Sequence, residues 1–241
     1  MFPETAKQLS VKIDRLISAS IISPCSALLF VDDGSNDNTW PLIEKYHSQN
    51  PLIFNGIKLS KNTGHQNALL CGLLFVKDYA DVTITIDADL QNDVDAIDKM
   101  LEAYYAGSKI VLGVRSNRKS DGFFKRINVR IFYCLMRLFN AGLVQDHSEF
   151  RLMDREAVNA LAEYGETDLF LRGIIPRLGY ETGIVYYEVK KRFAGKSKST
   201  FLKLIKIAFT GIASSGKTHT RKKHRPKYRI EKTLFSPEAG K

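Results

Sequence analysis

Short apolar runs alternate with longer helical patterns along most of the chain, and this alternation is the strongest constraint on its fold. The apolar or β-branched runs lie at 27–31, 52–59, 82–86 and 109–114, and the helical patterns between them lie at 39–48, 67–79 and 94–105. Further helices are predicted at 6–18 and 123–140, and further strands at 150–153 and 184–192. The sequence therefore predicts an α/β fold with a mostly parallel sheet and helices on both faces.

Two of the predicted strands end in acidic residues. Asp32 and Asp33 follow the first apolar run, and Asp87 and Asp89 follow the third. In open α/β sheets, ligands bind beyond the carboxyl ends of the strands. Both acidic pairs are therefore expected at the ligand-binding edge of the sheet.

Asp87, Asp89 and Gln91 have the side-chain chemistry of a Mg²⁺ or Mn²⁺ site. Mg²⁺ typically takes one or two protein carboxylates together with substrate phosphates. A metal held in this way stabilises the charge that builds on a diphosphate leaving group. For a carboxylate pair without other motifs around it, a solvated acidic turn is the more frequent explanation.

This carboxylate pair has two polar motifs before it, at 31–39 and 61–68. In the first motif, Asp32 or Asp33 could accept hydrogen bonds from a base N–H or from ribose hydroxyls. The alternative is a helix start, in which Asp37 or Asn38 caps the helix that begins near Thr39. Both interpretations are compatible with the same loop.

The ordered set of motifs resembles family 2 glycosyltransferases of the GT-A fold. Within that family it resembles the polyprenyl-phosphate glycosyltransferases, a group that includes dolichyl-phosphate mannose synthase. The resemblance covers roughly residues 3–212. It rests on the motifs at 31–39, 61–68, 87–91, 111–115, 147–153, 170–173 and 192–198.

The resemblance implies a UDP- or GDP-sugar donor, a polyprenyl phosphate acceptor and a metal cofactor. The implied nucleotide-sugar residues are Asp32, Asp33, Lys61, Asp87, Arg192 and Lys198. The implied metal ligands, for Mg²⁺ or Mn²⁺, are Asp87, Asp89 and Gln91. The implied acceptor-phosphate residues are Arg115, Arg130 and Ser148, and a solvated surface cation is an equal alternative for the two arginines.

The resemblance further implies an inverting transfer of a hexose, with Asp89, Arg115 and Glu149 as the candidate catalytic residues. A phosphate acceptor is already anionic near neutral pH, so no general base is strictly required. A saccharide acceptor would need one, and Glu149 is the candidate; its alternative role is a salt bridge. A third possibility is a catalytically impaired domain that binds membrane through its basic tail.

One family element is absent from this sequence. Family members begin with an apolar strand followed by P-x-Y-N-E, whereas this sequence opens with Phe2-Pro3-Glu4-Thr5 and passes directly into a helical pattern. We therefore expect the sheet to lose a strand near its centre, which would leave an exposed pairing edge.

The positive charge of the chain is concentrated at its C-terminal end. The chain has 36 Lys/Arg and 26 Asp/Glu, a formal charge of +10, but residues 1–189 have 20 basic and 24 acidic side chains. This distribution argues against nucleic acid as the partner. Residues 201–214 have one apolar face opposite lysines, which is typical of a helix lying on an anionic membrane surface; an ordinary surface helix is the alternative.

These patterns predict three segments. They are a GT-A domain at 1–198, an amphipathic helix at 199–215 and a basic tail without ordered structure at 216–241. The resemblance implies a peripheral protein at the cytoplasmic face of the membrane; the sequence has neither a signal peptide pattern nor an apolar run of about 20 residues. Whether copies of the chain form a homo-oligomer is left open.

Two other function classes are not supported. Cys25, Cys71 and Cys134 are widely spaced and odd in number, which excludes a disulfide scaffold or a zinc knuckle as an interpretation. Residues 211–218 match the P-loop pattern G-x-x-x-x-G-K-[ST]. The segment after it contains Pro226 and has no apolar face, whereas a P-loop requires a following helix.

Overall fold

The computed structural model describes residues 2–89, 91–116, 147–163, 171–189 and 227–236. The chain forms two compact units, one of residues 1–83 and 225–241 and the other of residues 84–224. Among the residues that the model describes, no helix is both long enough and apolar enough to cross a membrane. The predicted helices at 123–140 and 199–215 and the P-loop match at 211–218 lie outside the described residues.

The first unit contains three helices and three strands among its described residues. In chain order they are α1 (Phe2–Ser18), β1 (Leu28–Asp32), α2 (Thr39–Gln49), β2 (Phe54–Leu59), α3 (His65–Val76) and β7 (Ile230–Leu234). Strands β1 and β2 are parallel, and β7 pairs with the other edge of β2 in the antiparallel direction. Each predicted helix and strand before residue 80 is confirmed. Helix α1 begins four residues earlier than predicted and α3 ends three residues earlier, and the other ends agree to within two residues.

Helices cover both faces of this first sheet because its strands are apolar on both faces. On one face, Val31 and Ile57 pack with Cys71 of α3. On the other face, Ile43 of α2 lies close to Gly56. A Cβ atom at residue 56 would come within 2.5 Å of Ile43 Cγ2. The absence of a side chain at residue 56 therefore lets α2 approach the sheet closely.

The second unit is built around a sheet with the strand order β3-β5-β4-β6. Its elements are β3 (Val82–Thr85, which begins in the first unit), α4 (Ala96–Tyr105), β4 (Ile110–Arg115), β5 (His147–Asp154), α5 (Arg155–Glu163), α6 (Leu171–Ile174), a 3₁₀ turn (Ile175–Arg177) and β6 (Thr182–Tyr187). The core of β4, at Ile110, Val111 and Leu112, is completely buried. Strand β6 runs parallel to β4 and β5 runs antiparallel to it.

The α/β class and the helices on both sides are confirmed, and the sheet differs from the prediction in two respects. Among the described residues the strands form two sheets, of three and four strands; β7 runs antiparallel to β2 in the first, and β5 runs antiparallel to β4 in the second. Among the described residues, β1 pairs only with β2. Within the first sheet, β7 lies on the other side of β2 from β1.

The expectation of a tail without ordered structure at 216–241 is wrong for residues 227–236. Residues 230–234 form β7. Tyr228 packs against the core of the first unit, and Phe235 packs edge-on against Phe75 and Tyr79. These aromatic contacts compensate for a strand that is otherwise polar and exposed.

Candidate active site

Asp32 is the buried carboxylate at the end of β1. Asp32 is 3% exposed, and its Oδ1 accepts a hydrogen bond of 2.9 Å from the backbone N–H of Ser35. Its Oδ2 is buried and has no hydrogen-bond partner among the described residues. A buried acceptor without a partner is costly, which favours a donor supplied from elsewhere, as by a ligand.

Asp33 has a different environment, because the chain itself uses both of its oxygens. Oδ1 accepts hydrogen bonds from the backbone N–H (2.7 Å) and the hydroxyl (3.0 Å) of Thr63, and Oδ2 accepts one of 2.9 Å from the N–H of Gly64. Gly64 precedes the first residue of α3, where the helix dipole favours a negative charge. Asp33 therefore holds the loop after β2 against the loop after β1.

A glycine is required where these two loops meet. Gly34 has a φ of +67°, and a Cβ atom there would come within 2.4 Å of the Lys61 carbonyl carbon. Any other residue would both strain the backbone and push the two loops apart. The Lys61 side chain is exposed at this junction, where its charge is available to an anionic ligand.

In the second unit, the loop after β3 contains the predicted metal ligands. Asp87 and Asp89 are half-buried, and Asp89 Oδ1 accepts a hydrogen bond of 3.2 Å from the N–H of Gln91. The strand before this loop is attached to β5, since the Thr85 hydroxyl donates to the carbonyl oxygen of Glu149 at 2.5 Å. The two carboxylates thus follow directly from a strand that is fixed within the sheet.

The side chains of this loop fit a divalent ion by the chemistry of their donors. They offer two carboxylates and an amide, which are hard oxygen ligands suited to Mg²⁺ or Mn²⁺. The described residues contain no group of three or more His, Cys, Asp or Glu side chains that could hold a metal ion alone. The set therefore suits an ion that completes its coordination with phosphate oxygens and water.

Glu149 lies in a buried ion-pair network on β5. Its Oε1 accepts a hydrogen bond of 2.9 Å from Nε of Arg172, and its carboxylate also pairs with the guanidinium of Arg151. The side chain of Glu149 is only 4% exposed. Two cationic partners stabilise the ionised carboxylate and occupy it, so the salt bridge is the role that this geometry supports.

Arg151, the second arginine partner on β5, is completely buried. Burial, followed by the charge of Arg172, lowers the pKa of Arg151 to about 9, while the carboxylate of Asp87 partly opposes this shift. Arg151 therefore remains a cation at neutral pH. Its field acts on Asp87, which links the ion-pair network to the predicted ligands by charge.

The Ser148 hydroxyl is enclosed within the sheet. Ser148 is 1% exposed, and its Oγ lies 2.8 Å from the hydroxyl of Tyr187 and accepts a hydrogen bond of 3.2 Å from the N–H of Phe150. The predicted contact between Ser148 and an acceptor phosphate is not supported by this position. Ser148 instead belongs to a buried polar group with Tyr187 and Asn92.

Of the remaining predicted residues, one lies at the end of a described strand and three lie in the undescribed part of the chain. Arg115 is the last residue of β4 and is half-buried, at the same end of the strand as Ser148 of the neighbouring β5. Arg130, Arg192 and Lys198 lie outside the described residues. Their predicted contacts with phosphate groups remain predictions.

Comparison with known proteins decides the family. The family model described as "Glycosyl transferase family 2" matches residues 22–175, a segment that includes both acidic loops and the Glu149 network. The chain belongs to glycosyl transferase family 2. The predicted resemblance to this family is thereby confirmed.

Two kinds of relative are similar to this family 2 chain. An uncharacterized glycosyltransferase of Bacillus subtilis (strain 168), YkoT, is 45% identical over 89% of this chain and 63% of the relative. A bactoprenol glucosyl transferase of Shigella phage SfX is 35% identical over 78% of this chain and 61% of the relative. The chain thus spans about three fifths of the length of these relatives.

Several residues of the site were not assigned from the sequence. Arg151 and Arg172 lie in motifs that carry the family resemblance, but the sequence does not show that both pair with Glu149, and the Arg172 pair connects two separate motifs. Asn92 directly follows the 87–91 motif, and this adjacency was the only available signal for it. Tyr187 is the last residue of an apolar strand, and nothing in the surrounding sequence indicates that its hydroxyl makes buried hydrogen bonds.

Proposed function

We propose that this chain is an inverting glycosyltransferase that moves a hexose from a UDP- or GDP-sugar to a polyprenyl phosphate at the cytoplasmic face of the membrane. Family membership and relatives named bactoprenol glucosyl transferases support this proposal. It implies a peripheral protein on an anionic membrane surface, with a nucleotide-sugar donor and a lipid-phosphate acceptor as its partners.

The proposal of a phosphate acceptor rests on Glu149, whose carboxylate is paired with two guanidinium groups. A saccharide hydroxyl must lose a proton to a base within about 3 Å as it attacks. Glu149 was the candidate base, and its carboxylate is 4% exposed and paired with Arg151 and Arg172. A phosphate acceptor avoids this requirement because its attacking oxygen is already anionic.

The proposed reaction is a single displacement at the anomeric carbon of the donor sugar. A bond forms from an acceptor phosphate oxygen to that carbon as the bond to the nucleotide diphosphate breaks, and the diphosphate leaves with the electron pair. No proton has to move. Positioning and electrostatic stabilisation of the diphosphate can therefore supply the acceleration.

We propose the following roles for the described residues. Asp32 accepts hydrogen bonds from the nucleoside through its buried oxygen, and Asp33 keeps the adjoining loop in place. Asp87, Asp89 and Gln91 hold the diphosphate through Mg²⁺ or Mn²⁺. That ion, when bound, neutralises charge on the leaving diphosphate. Arg115 attracts the acceptor phosphate.

Nucleotide binding tests the donor half of this proposal. Titration calorimetry with UDP and with GDP, in the presence of Mn²⁺, should show saturable binding of at least one of them. Asp32→Asn should weaken that binding by about 10-fold or more, because the loss of one charged hydrogen bond corresponds to roughly 1.5–3 kcal/mol.

Asp37→Asn is the matched control. Asp37 is exposed in the same loop and caps α2, accepting a hydrogen bond of 2.9 Å from the Thr39 N–H, and Asn caps helices as well as Asp does. Equal nucleotide affinities for Asp32→Asn and the unaltered chain would contradict the proposed role of Asp32. Absence of binding to either nucleotide would contradict the donor itself.

A further inference from the structure

A buried tyrosine joins β6 to the loop that contains the proposed metal ligands. Tyr187 is 3% exposed, and its hydroxyl lies 2.9 Å from Asn92 Oδ1 and 2.8 Å from Ser148 Oγ. A phenol has one proton and an amide oxygen can only accept, so the Tyr187 hydroxyl donates to Asn92 Oδ1. The Ser148 hydroxyl is the second hydrogen-bond partner of Tyr187. Tyr187 and Asn92 are 95 residues apart in the sequence.

The sheet fixes the position of the Tyr187 ring. The ring packs edge-on against Phe150, with centroids 5.3 Å apart. On β4, a Cβ atom at Gly113 would lie 3.2 Å from Tyr187 Cε1 and 2.7 Å from the Phe150 carbonyl oxygen. The register of β4 and β5 shifts at this glycine, so a local irregularity leaves room for the ring.

The group reaches Asp89 through a short path. Asn92 is 3% exposed and therefore acts as a buried anchor for its loop. The preceding residue, Gln91, donates its backbone N–H to Asp89 Oδ1. On the other side of the loop, Thr85 is held to the Glu149 carbonyl. The segment with both carboxylates is thus fixed at its two ends.

We propose that Tyr187 is a positioning residue that acts through Asn92 to fix Asp87 and Asp89 for divalent metal and diphosphate. This inference rests on the function proposed above. In this role Tyr187 itself touches neither the metal nor the donor. Its hydroxyl holds the loop in place. Without that hydroxyl, the incoming ion would have to order the two carboxylates, and this cost would lower the affinity for the ion.

The test is calorimetric titration of the full chain with Mn²⁺ in the presence of UDP. Tyr187→Phe keeps the ring and removes only the hydroxyl. We expect it to weaken Mn²⁺ affinity by about 10-fold, as when a group that orients a metal ligand is removed. UDP affinity measured in EDTA should stay unchanged, a split that a general loss of structure would not produce.

Hydrogen exchange of the metal-free chain provides a second readout, independent of ligands. In Tyr187→Phe, the amides of Asp87, Asp89, Gln91 and Asn92 should exchange faster than in the unaltered chain. Tyr186→Phe is the matched control, because Tyr186 is the preceding residue on β6 and is 63% exposed; it should change neither quantity. If Tyr187→Phe does not fold, Asn92→Ala replaces it with the same expected losses.

Unchanged Mn²⁺ affinity and unchanged exchange in Tyr187→Phe would overturn the positioning role. If the unaltered chain binds neither Mn²⁺ nor UDP, the proposed function fails, and the exchange measurement alone then decides whether Tyr187 orders the loop. Faster exchange supports that role, and equal exchange overturns it.

Discussion

Asp32 and Asp33 are adjacent and chemically identical, but they do different work because their neighbours differ. Asp33 receives three hydrogen bonds from Thr63 and Gly64, whereas Asp32 receives one from Ser35. From the sequence, both were assigned to the nucleoside. The distinction depends on a loop 30 residues away, and nothing in the motif itself shows which carboxylate that loop uses.

Asp33→Asn should destabilise the protein more than Asp32→Asn does. The amide would place an NH₂ group against an N–H donor of Thr63 or Gly64, leaving a donor unsatisfied at a cost of about 1–3 kcal/mol. Asp32→Asn can keep its bond to Ser35 and removes a buried charge. Urea unfolding of the two variants measures the difference, and an equal loss of stability in both would contradict the assigned roles.

Glu149→Gln should lower the free energy of unfolding by roughly 3–5 kcal/mol, since it leaves the buried Arg151 cation without its carboxylate. The control is Glu156→Gln, which breaks the exposed ion pair with Lys109 and should lower the stability far less, because water screens an exposed pair. Thermal and urea unfolding provide both values. Similar stabilities for the two variants would show that the Glu149 network does not stabilise the fold.

This substitution also bears on the acceptor. With a phosphate acceptor, the turnover of the folded Glu149→Gln protein should fall only mildly, whereas a reaction that uses Glu149 as its base would stop. Because stability also changes, the rate has to be expressed per folded molecule, with the folded fraction measured under the conditions of the assay.

At the scale of elements, β7 is the part of the fold that the sequence pattern did not predict. Its residues are polar and mostly exposed, so they lack the apolar run that marked the other strands. The strand forms through partners distant in sequence: the edge of β2, ion pairs of Lys58 with Glu231 and of Glu44 with Lys232, and the aromatic contacts of Phe235. Contacts of this kind cannot be deduced from local periodicity.

The packing of this C-terminal segment on α3 predicts a loss of stability at high pH. Burial raises the pKa of Cys71 from 9.0 to about 11, and burial, followed by the nearby Cys71, raises that of Tyr228 from 10.0 to about 12. Both groups keep their protons in the folded state after the unfolded chain has lost them. Stability should therefore be unaffected by them below pH 9 and fall as the pH rises from 9 to 12.

Urea unfolding between pH 7 and pH 11 measures this effect. Cys71→Ala should make the alkaline fall less steep, even if its stability at pH 7 is lower because of the cavity. Cys25→Ala is the control, because Cys25 lies before β1 and is only half-buried. An equally steep fall in Cys71→Ala and in the unaltered chain would contradict the burial argument.

At the scale of the whole molecule, the sequence predicted the α/β class from its apolar runs, the two acidic loops from the two runs that stop at carboxylates, and the family from the ordered set of motifs. It did not reveal which hydrogen-bond and ion-pair partners the side chains of the second unit would have. Glu149 was expected at the reaction and is occupied by two arginines, and Ser148 was expected at the acceptor and is enclosed with Tyr187. Burial and long-range pairing decide both cases, and neither quantity is visible in a motif.

Transfer to a lipid phosphate tests the central claim most directly. The chain is incubated with Mn²⁺, a short polyprenyl phosphate and labelled UDP-glucose or GDP-mannose, and the label in the lipid extract is measured, with Asp32→Asn as a reference of weakened donor binding. We predict label in the lipid from one of the donors and none with saccharides that lack a phosphate. Transfer to a saccharide, or no transfer to the lipid from any common nucleotide sugar, would contradict the proposal.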